Sequence, residues 1–520
     1  MELNTKYEKL KNKQVILYGA GKFGEKTLDL IQNFNTEIIC FIDKDVKKWG
    51  KEYKGVTVTS PDTIKSLVYD YIMITSMYIK SVYEELISKG VDSDKIVFIP
   101  IDSDKSIEYK NMSETKSKKM NAKMIETFFQ KNKVKLKENE KIRICFLFEA
   151  PTLWPSWDSL WRACLDDKKM ETQIILYNNK VFQNSQNQGA TEFLIKNRIP
   201  YIDYNEKIIK EFNPHIIFLQ SPYEEAFRPE NLRSTYLKSN GHRIIYIPYG
   251  IEISNTDESR INQFGNNLVF NAWKIYTFSS IMKENYHEFI DEKLNNIRSL
   301  GHPKFDRLYN YNLDNIQRIK EKANERKIIF FRLHFPKEVY DQGELKMVTP
   351  YLKEYYKFAD HLNKYKDFYF LFRTHPKFYD TCYKFQDGLL GVKFFYKLKD
   401  NENVLFLKDE DYRLGIFSAD CIIGDRSALM VESSVSEKPI LYLYNKDFKE
   451  PMTKGVKRLF DSYYQGTGYL DILNFLTMCR ADKDPKKDER INAFKSTIEN
   501  YDGLSGYRIK EDIIQAITSE

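Results

Sequence analysis

The chain has 520 residues, far more than one core requires and room for about three domains at roughly 100 to 200 residues each. It is 42% hydrophobic and 30% charged, with 36 Tyr and 35 Phe against only 21 Gly and 16 Pro, a composition that excludes wholesale disorder and fibrous repeats. The net charge of +7 fits anionic ligands or a membrane surface and lacks the concentrated basicity of a nucleic-acid partner.

In chain order, an α/β alternation begins at once. VILYGA (15–20) reads as a buried strand from its unbroken apolar run, and EKTLDLIQNF (25–34) has helical spacing. EIICFID (37–43), YIMITS (71–76) and IVFIP (96–100) read as further strands, so residues 1–100 are expected to form a parallel, doubly wound unit. Between its first strand and first helix lies Gly19-Ala20-Gly21-Lys22-Phe23-Gly24, and Asp43 ends the second strand. In that context Gly19 permits a tight turn, Gly21 lets backbone approach a phosphate, Gly24 allows close packing, and Asp43 can accept from a ribose. The segment is therefore a nucleotide-binding candidate, with a purely structural glycine turn and an NAD site as the alternatives. Asp43 and Asp45 also have a DxD spacing, but so do Asp92/Asp94, Asp102/Asp104, Asp409/Asp411 and Asp482/Asp484, as a charged chain produces by chance, and no metal is assigned to any.

Residues 101–141 hold 11 Lys and 7 acids and read as a solvated linker with one short helix at MIETFFQK. A second unit, 142–300, carries the strands IRICFLFEA (142–150), ETQIILYN (171–178), HIIFLQS (215–221) and RIIYIPYG (243–250). A third, 301–520, carries KIIFFRL (327–333), FYFLFRTH (368–375), VLFLK (404–408), DCIIGD (420–425) and PILYLYN (439–445). Six cysteines (Cys40, Cys145, Cys164, Cys382, Cys421, Cys479) stand singly and read as reduced core thiols. The start of the chain has no signal-peptide pattern and no run of 18 apolar residues occurs, so a cytoplasmic protein is expected.

The chemistry gathers where strands run into loops, the place open α/β sheets hold ligands. Arg373-Thr374-His375-Pro376-Lys377 puts three cationic or hydrogen-bonding side chains after one strand, and Asp425-Arg426-Ser427 opens a helical pattern after another. Arg373 offers a planar donor fork, His375 a proton or hydrogen bond, and Ser427 a hydroxyl, while Glu432 could accept from ribose hydroxyls. Together they suit a ligand with two phosphates. His334 after KIIFFRL faces the same expected cleft. Trp154, Trp157 and Trp161 have helix-like spacing and suit a core or interface better than a sugar platform.

These segments resemble the CDP-glycerol glycerophosphotransferase family, GT-B-fold enzymes that make teichoic-acid-like polymers and related capsule backbones. The resemblance rests on GHPKFD (301–306), RTHP (373–376), GDRSALMVESSVSEKPILYLY (424–444) and FDSYYQGTG (460–468), and extends to FLFEAPTLWPSWDSLWRACLDD (146–167) and LQSPYEEAFRPENLRS (219–234). It covers residues 142 to about 515, with the first hundred as an addition. It implies three Rossmann-like units, the last two forming a GT-B pair with an acceptor side (142–300) and a nucleotide-donor side (301–520). It implies a donor site from Gly301, His302, Lys304, Arg373, His375, Asp425, Arg426, Ser427 and Glu432, and an acceptor loop with Trp154, Tyr249 and Gly250. The expected reaction moves glycerol phosphate or a related polyol phosphate from a CDP-activated donor to a hydroxyl of a polymer or lipid-linked acceptor. No cofactor beyond the donor is required. Where better-known members carry Trp-His-Gly-Thr, this chain has Pro248-Tyr249-Gly250-Ile251, so the family's basic His is replaced. Glu252, Glu149 and Asp158 stand as the carboxylates able to serve as base if burial raises their pKa. The rival readings are a nucleotide-sugar glycosyltransferase of the same architecture, an NAD-dependent oxidoreductase centred on Gly19 to Gly24, and a non-catalytic scaffold. The basic charge also suits a peripheral position at the inner face of the cell membrane.

Overall fold

The computed structural model describes residues 8–31, 34–100, 122–177, 189–407 and 411–519. Most of the Lys-rich stretch, with Asp102/Asp104, and Asp409 lie outside the described residues.

Three sheets follow one another along the chain. The first contains β1 (Gln14–Tyr18), β2 (Glu37–Ile42), β3 (Glu52–Tyr53), β4 (Val56–Thr59), β5 (Tyr71–Ile74) and β6 (Ile96–Phe98), in the order β3-β4-β2-β1-β5-β6. All its pairs are parallel except the short β3/β4 pair. The second contains β7 (Ile142–Phe148), β8 (Met170–Leu176), β9 (Ile202–Asp203), β10 (Ile216–Leu219), β11 (Arg243–Tyr246), β12 (Lys274–Thr277) and β13 (Ile297–Ser299), ordered β13-β12-β11-β10-β7-β8-β9. The third joins β14 (Lys327–Leu333), β17 (Phe368–Thr374), β18 (Val404–Phe406), β19 (Cys421–Gly424), β20 (Ile440–Leu443) and β21 (Tyr464–Gly466) as β18-β17-β14-β19-β20-β21. Between β14 and β17 an antiparallel hairpin, β15 (Glu338–Asp341) with β16 (Glu344–Met347), stands apart from that sheet.

The central strands are near-continuous apolar runs because helices cover both faces of a parallel sheet. β10 and β11 are buried at all four positions and β14 at six of seven. Period-two alternation is absent from them for that reason. The strands the sequence shows weakly are the edge pieces β3, β9 and β13, which carry exposed or partly exposed residues and little apolar signal.

Packing departs from chain order twice. The first unit docks on the third, not on its sequence neighbour. Its helix Ile79–Ser88 meets the helix Gly388–Leu398, with Tyr83 edge-on to Tyr396 at 5.5 Å and Lys393 Nζ donating to the Ser93 carbonyl at 2.6 Å. The last helix, Ser505–Thr518, leaves the 301–520 unit and packs on the helix Asp158–Leu165 of the second. Its Ile509, Ile513 and Ile517 enter the second unit's core, Lys510 pairs with Asp167 at 2.7 Å, and Asp512 receives Lys274 and Tyr276, each at 2.8 Å. The short helix expected in the linker runs Ala122–Lys131 and is docked rather than solvated, since Ile125 is buried and the Arg243 guanidinium donates to the Phe129 and Asn132 carbonyls. All six cysteines are buried and unpaired. Among the described residues no helix is long and apolar enough to cross a membrane.

Candidate functional site

The C-terminal ends of the second and third sheets face one another across a cleft of about 430 Å³. From the second unit come Ser221 and Tyr223 after β10, Gly250 and Glu252 after β11, and Ser259, Asn262 and Gln263 on the helix Asp257–Phe264. From the third come His334, Phe335 and Lys337 after β14, His375 and Lys377 after β17, and Arg426 and Ser427 after β19. Parallel pairing dictates this convergence, because strands running in one direction release their following loops at one edge.

Two histidines lie at the centre, with ring centroids 5.0 Å apart and Phe335 beside both. Their hydrogen bonds fix opposite tautomers. His375 Nδ1 accepts from the Lys377 backbone N–H at 3.1 Å, so its proton resides on Nε2. His334 Nδ1 lies 2.9 Å from its neighbour's carbonyl, that of Phe335, an atom that only accepts, so Nδ1 carries the proton and Nε2 offers a lone pair. Burial, reinforced by Arg332 and Lys377, lowers His375 to about 3, and burial with His375 and Arg426 nearby takes His334 well below its usual value. Both rings are therefore neutral at physiological pH, one a donor and one an acceptor.

A row of charge sits beside them. Arg426 Nε donates to Glu450 at 2.8 and 2.9 Å, and its Nη2 lies 3.9 Å from Glu252. Glu252 also accepts from the Ser254 N–H at 2.8 Å. Burial raises the Glu252 pKa above the usual carboxylate value, opposed chiefly by Arg426. Lys337 is lowered by burial and by the same guanidinium. Tyr249 and Tyr223 share a hydrogen bond, and the Tyr223 hydroxyl also receives Gln263 Nε2 at 2.6 Å. Gly250 needs no glycine for packing, since a Cβ there would meet nothing within 4 Å. A side chain would enter the cleft instead.

Of the residues singled out in the sequence, His375, Arg426, Ser427, Tyr249, Gly250 and Glu252 thus line one cavity, as does His334. The others are placed elsewhere, and most are occupied. Arg373 Nη1 donates to the Leu407 carbonyl beyond the edge strand at 3.2 Å and is not among the lining residues. Glu149 is buried against Arg228 at 2.7 Å, and Asp158 binds Arg162 at 3.0 Å and Arg307 at 3.2 Å across the interface between the units. Neither reaches the cleft as a base. Lys304 and Glu432 form a buried pair at 2.9 Å, so neither is presented to a donor. Asp425, fully buried and raised to about 7 by that burial, accepts from the His334 N–H at 2.6 Å and the Tyr355 hydroxyl at 2.9 Å; it positions the His334 loop. His302 accepts from the Lys304 N–H and donates Nε2–H to the Pro248 carbonyl at 2.9 Å, fixing the turn after β11 from behind. Gly301, at φ +87°, lies where a Cβ would strike Ser505 Oγ at 2.3 Å. Trp154 is core, edge-on to Phe148 and Trp161, and Leu153 is the neighbour that reaches the cleft.

The polar lining residues that sequence reasoning passed over are Ser221, Tyr223, Glu258, Ser259, Asn262, Gln263 and Lys337. The first two lie in the segment SPYEE at a strand end and could have been found there. The helix ESRINQF carries almost no apolar signal, and its only sequence hint is a polar helix long enough to need a covered face.

In the first unit, Gly19, Gly21, Lys22, Phe23 and Asp43 line a separate cavity of about 990 Å³, and Gly24 does not reach it. Gly19, at φ +123°, and Gly24 are dictated by packing: a Cβ would meet the Thr75 carbonyl at 2.7 Å and the Gly19 carbonyl at 2.1 Å, respectively. Asp43 turns toward its own loop, accepting from the Ala20 N–H at 2.9 Å, the Asp45 N–H at 2.9 Å and Lys48 Nζ at 2.8 Å. The DxD spacings at Asp43/Asp45 and Asp92/Asp94 serve short turns, since Asp45 and Asp92 each accept from the backbone N–H two residues on.

Two units with facing sheet ends, and a last helix returning to the earlier unit, decide the architecture. The fold is GT-B-like. Residues 11–97 match the family described as C2185-like, N-terminal. No curated protein matches the sequence. Among solved structures, the S. aureus MnaA complex with UDP is similar at 13% identity and a TM-score of 0.51, over 72% of this chain and 97% of that one. A UDP-N-acetylglucosamine 2-epimerase is similar at 12% identity and a TM-score of 0.51, over 73% and 98%. The wall teichoic acid polymerase TagF, in a variant soaked with CDPG, overlaps 79% of this chain and 96% of its own at 13% identity, with a TM-score of 0.45.

Proposed function

We propose that the chain transfers glycerol phosphate, or a related polyol phosphate, from a CDP-activated donor to a hydroxyl of a polymer or lipid-linked acceptor, releasing CMP. The observation that carries this reading is the pair of neutral histidines of opposite tautomer in a cleft that also holds the raised carboxylate of Glu252. The donor lies against the third unit, where His375 Nε2–H and Lys377 offset phosphate charge and His334 Nε2 accepts from a polyol hydroxyl. The acceptor lies against the second, beside Glu252, Tyr223 and Ser221. The acceptor oxygen forms a bond to the β-phosphorus as the bond from that phosphorus to the bridging oxygen breaks. CMP leaves with the electron pair, and the acceptor's proton passes to Glu252. Of the three carboxylates named from the sequence Glu252 takes this role, because Glu149 and Asp158 are tied in ion pairs outside the cleft, while Glu258, also on the cleft wall, accepts from the Tyr340 N–H at 2.9 Å. A donor made by cytidylyl transfer goes with a cytoplasmic enzyme working at the inner membrane face.

A nucleotide-sugar donor is the second reading, favoured by the polar row Ser259, Asn262 and Gln263, which matches sugar hydroxyls. Incubation with CDP-glycerol, other CDP-alcohols, CMP-sugars and UDP-sugars, following free nucleotide, separates the two. CMP release from a CDP-alcohol is expected. Release from UDP-sugars alone supports the second reading, and no release from any donor leaves a scaffold.

A further inference from the structure

The glycine-loop cavity is not used by the transfer chemistry, and its construction is that of a ligand site. It lies where the chain changes direction in the first sheet: after β1 the strands build outward through β2, β4 and β3, then cross to β5 on the other side of β1. Ligands of open α/β sheets bind at this switch point. Tyr18 ends β1 and Gly19 follows it, Thr75 to Tyr78 follow β5, and all line the cavity. Gly21 also lines it. Unlike Gly19 it has no left-handed φ, and unlike both Gly19 and Gly24 it has room for a Cβ, which would meet nothing within 4 Å, so the fold gives no reason for glycine there. A molecule approaching the backbone supplies one.

The chemistry of the walls selects the molecule. Lys22, Lys26, Lys44, Lys48 and Lys384 face the cavity against only Asp43 and Glu338. Lys48 and Lys44 are held by Asp43 and Glu85 at 2.8 and 2.9 Å, which leaves Lys22, Lys26 and Lys384 at the surface of the site. Beside this charge stand apolar and aromatic groups that are normally covered: Tyr78 is 70% exposed and Met77 50% exposed. Cations with a flat apolar platform suit polyphosphate with a base attached. The Asp43 carboxylate, which would hold the ribose of a dinucleotide cofactor, is instead engaged by three donors of its own loop.

From this we infer that the cavity between the first and third units is a second nucleotide site, taking a nucleoside diphosphate, free or esterified, rather than a nicotinamide dinucleotide. The third unit completes it with Tyr383, Lys384 and, from the hairpin, Glu338 and Leu345. Successive strand residues point to opposite sides, and Lys337, next to Glu338, lines the transfer cleft. One hairpin thus forms a wall of both cavities, and its Tyr340 N–H is fixed on the second unit by Glu258 at 2.9 Å.

The inference does not depend on the transfer reading, and calorimetric titration of the full chain with CDP, UDP, ADP and NADH tests the two separately. Two nucleoside diphosphate sites are expected in the wild type. Gly21→Val should fill the first and leave one, while Gly250→Trp should fill the cleft and leave the other, with unchanged melting temperature confirming the fold. Lys22→Glu with Lys26→Glu, both on the surface, should weaken the first site by about tenfold or more. Binding lost in Gly250→Trp but untouched by Gly21→Val and by the lysine changes overturns the second site and leaves the transfer reading standing. NADH binding at Gly21 more tightly than any nucleoside diphosphate overturns the ligand class.

Discussion

Replacing His375 by Asn separates its chemistry from its structural role. The Asn side-chain oxygen can take the place of Nδ1 and keep the Lys377 N–H, bound at 3.1 Å, satisfied, while no group remains where Nε2–H points. Loss of one preorganised donor to charge that develops in the transition state costs about 2.7–4 kcal/mol, or roughly 10²- to 10³-fold in turnover. Folding should be nearly unchanged. His375→Ala removes the Lys377 acceptor as well and should lose about 1 kcal/mol of stability, the ordinary net worth of one hydrogen bond, since Lys377 is only partly buried. The assay is CMP release from CDP-glycerol at saturating donor, with thermal melting of each variant alongside. If His375→Asn retains turnover within about threefold of wild type, the ring donates nothing to the reaction and the site assignment is wrong.

Glu252 as base gives an acid limb: its carboxyl is raised above 4.5, so the rate should fall as pH drops through that raised value, and Glu252→Gln should abolish the limb with a loss of about 10²- to 10⁴-fold. A full rate in Glu252→Gln would transfer the role to another group. Asp425 holds its proton to about pH 7 when folded and only to 3.8 otherwise, so the native state binds more protons between those values and stability falls as pH rises through them. Asp425→Asn removes that loss, and its melting temperature relative to wild type should climb from pH 5 to pH 8, by an equivalent of at most about 3 kcal/mol, since ~2 pH units of that window lie above pH 5. Lys304→Met should cost about 3–5 kcal/mol in denaturant unfolding by stranding buried Glu432, and adding Glu432→Leu should recover most of it. An equal loss in single and double variants would contradict the pairing.

The amino-acid sequence alone determined the sheets and the edge at which chemistry gathers. Runs such as KIIFFRL and HIIFLQS are apolar on both faces because they are covered on both, and that property is local enough to read without a structure. His375, Arg426, Ser427 and Glu252 were legible because a loop after a parallel strand must emerge at the ligand edge. Tertiary structure decided which of the charged candidates are free to act. Lys304 and Glu432, 128 residues apart, neutralise each other, and Glu149 and Asp158 are consumed by Arg228 and Arg307. The tautomers of His334 and His375 depend on one carbonyl and one N–H, those of Phe335 and Lys377, each positioned by the conformation of the histidine's own loop. Long-range docking decided the rest: the first unit rests on the third and the last helix returns to the second. Apolar periodicity shows that a face is buried but carries no address for its partner, because hydrophobic contact is non-directional and many faces of similar shape compete for it.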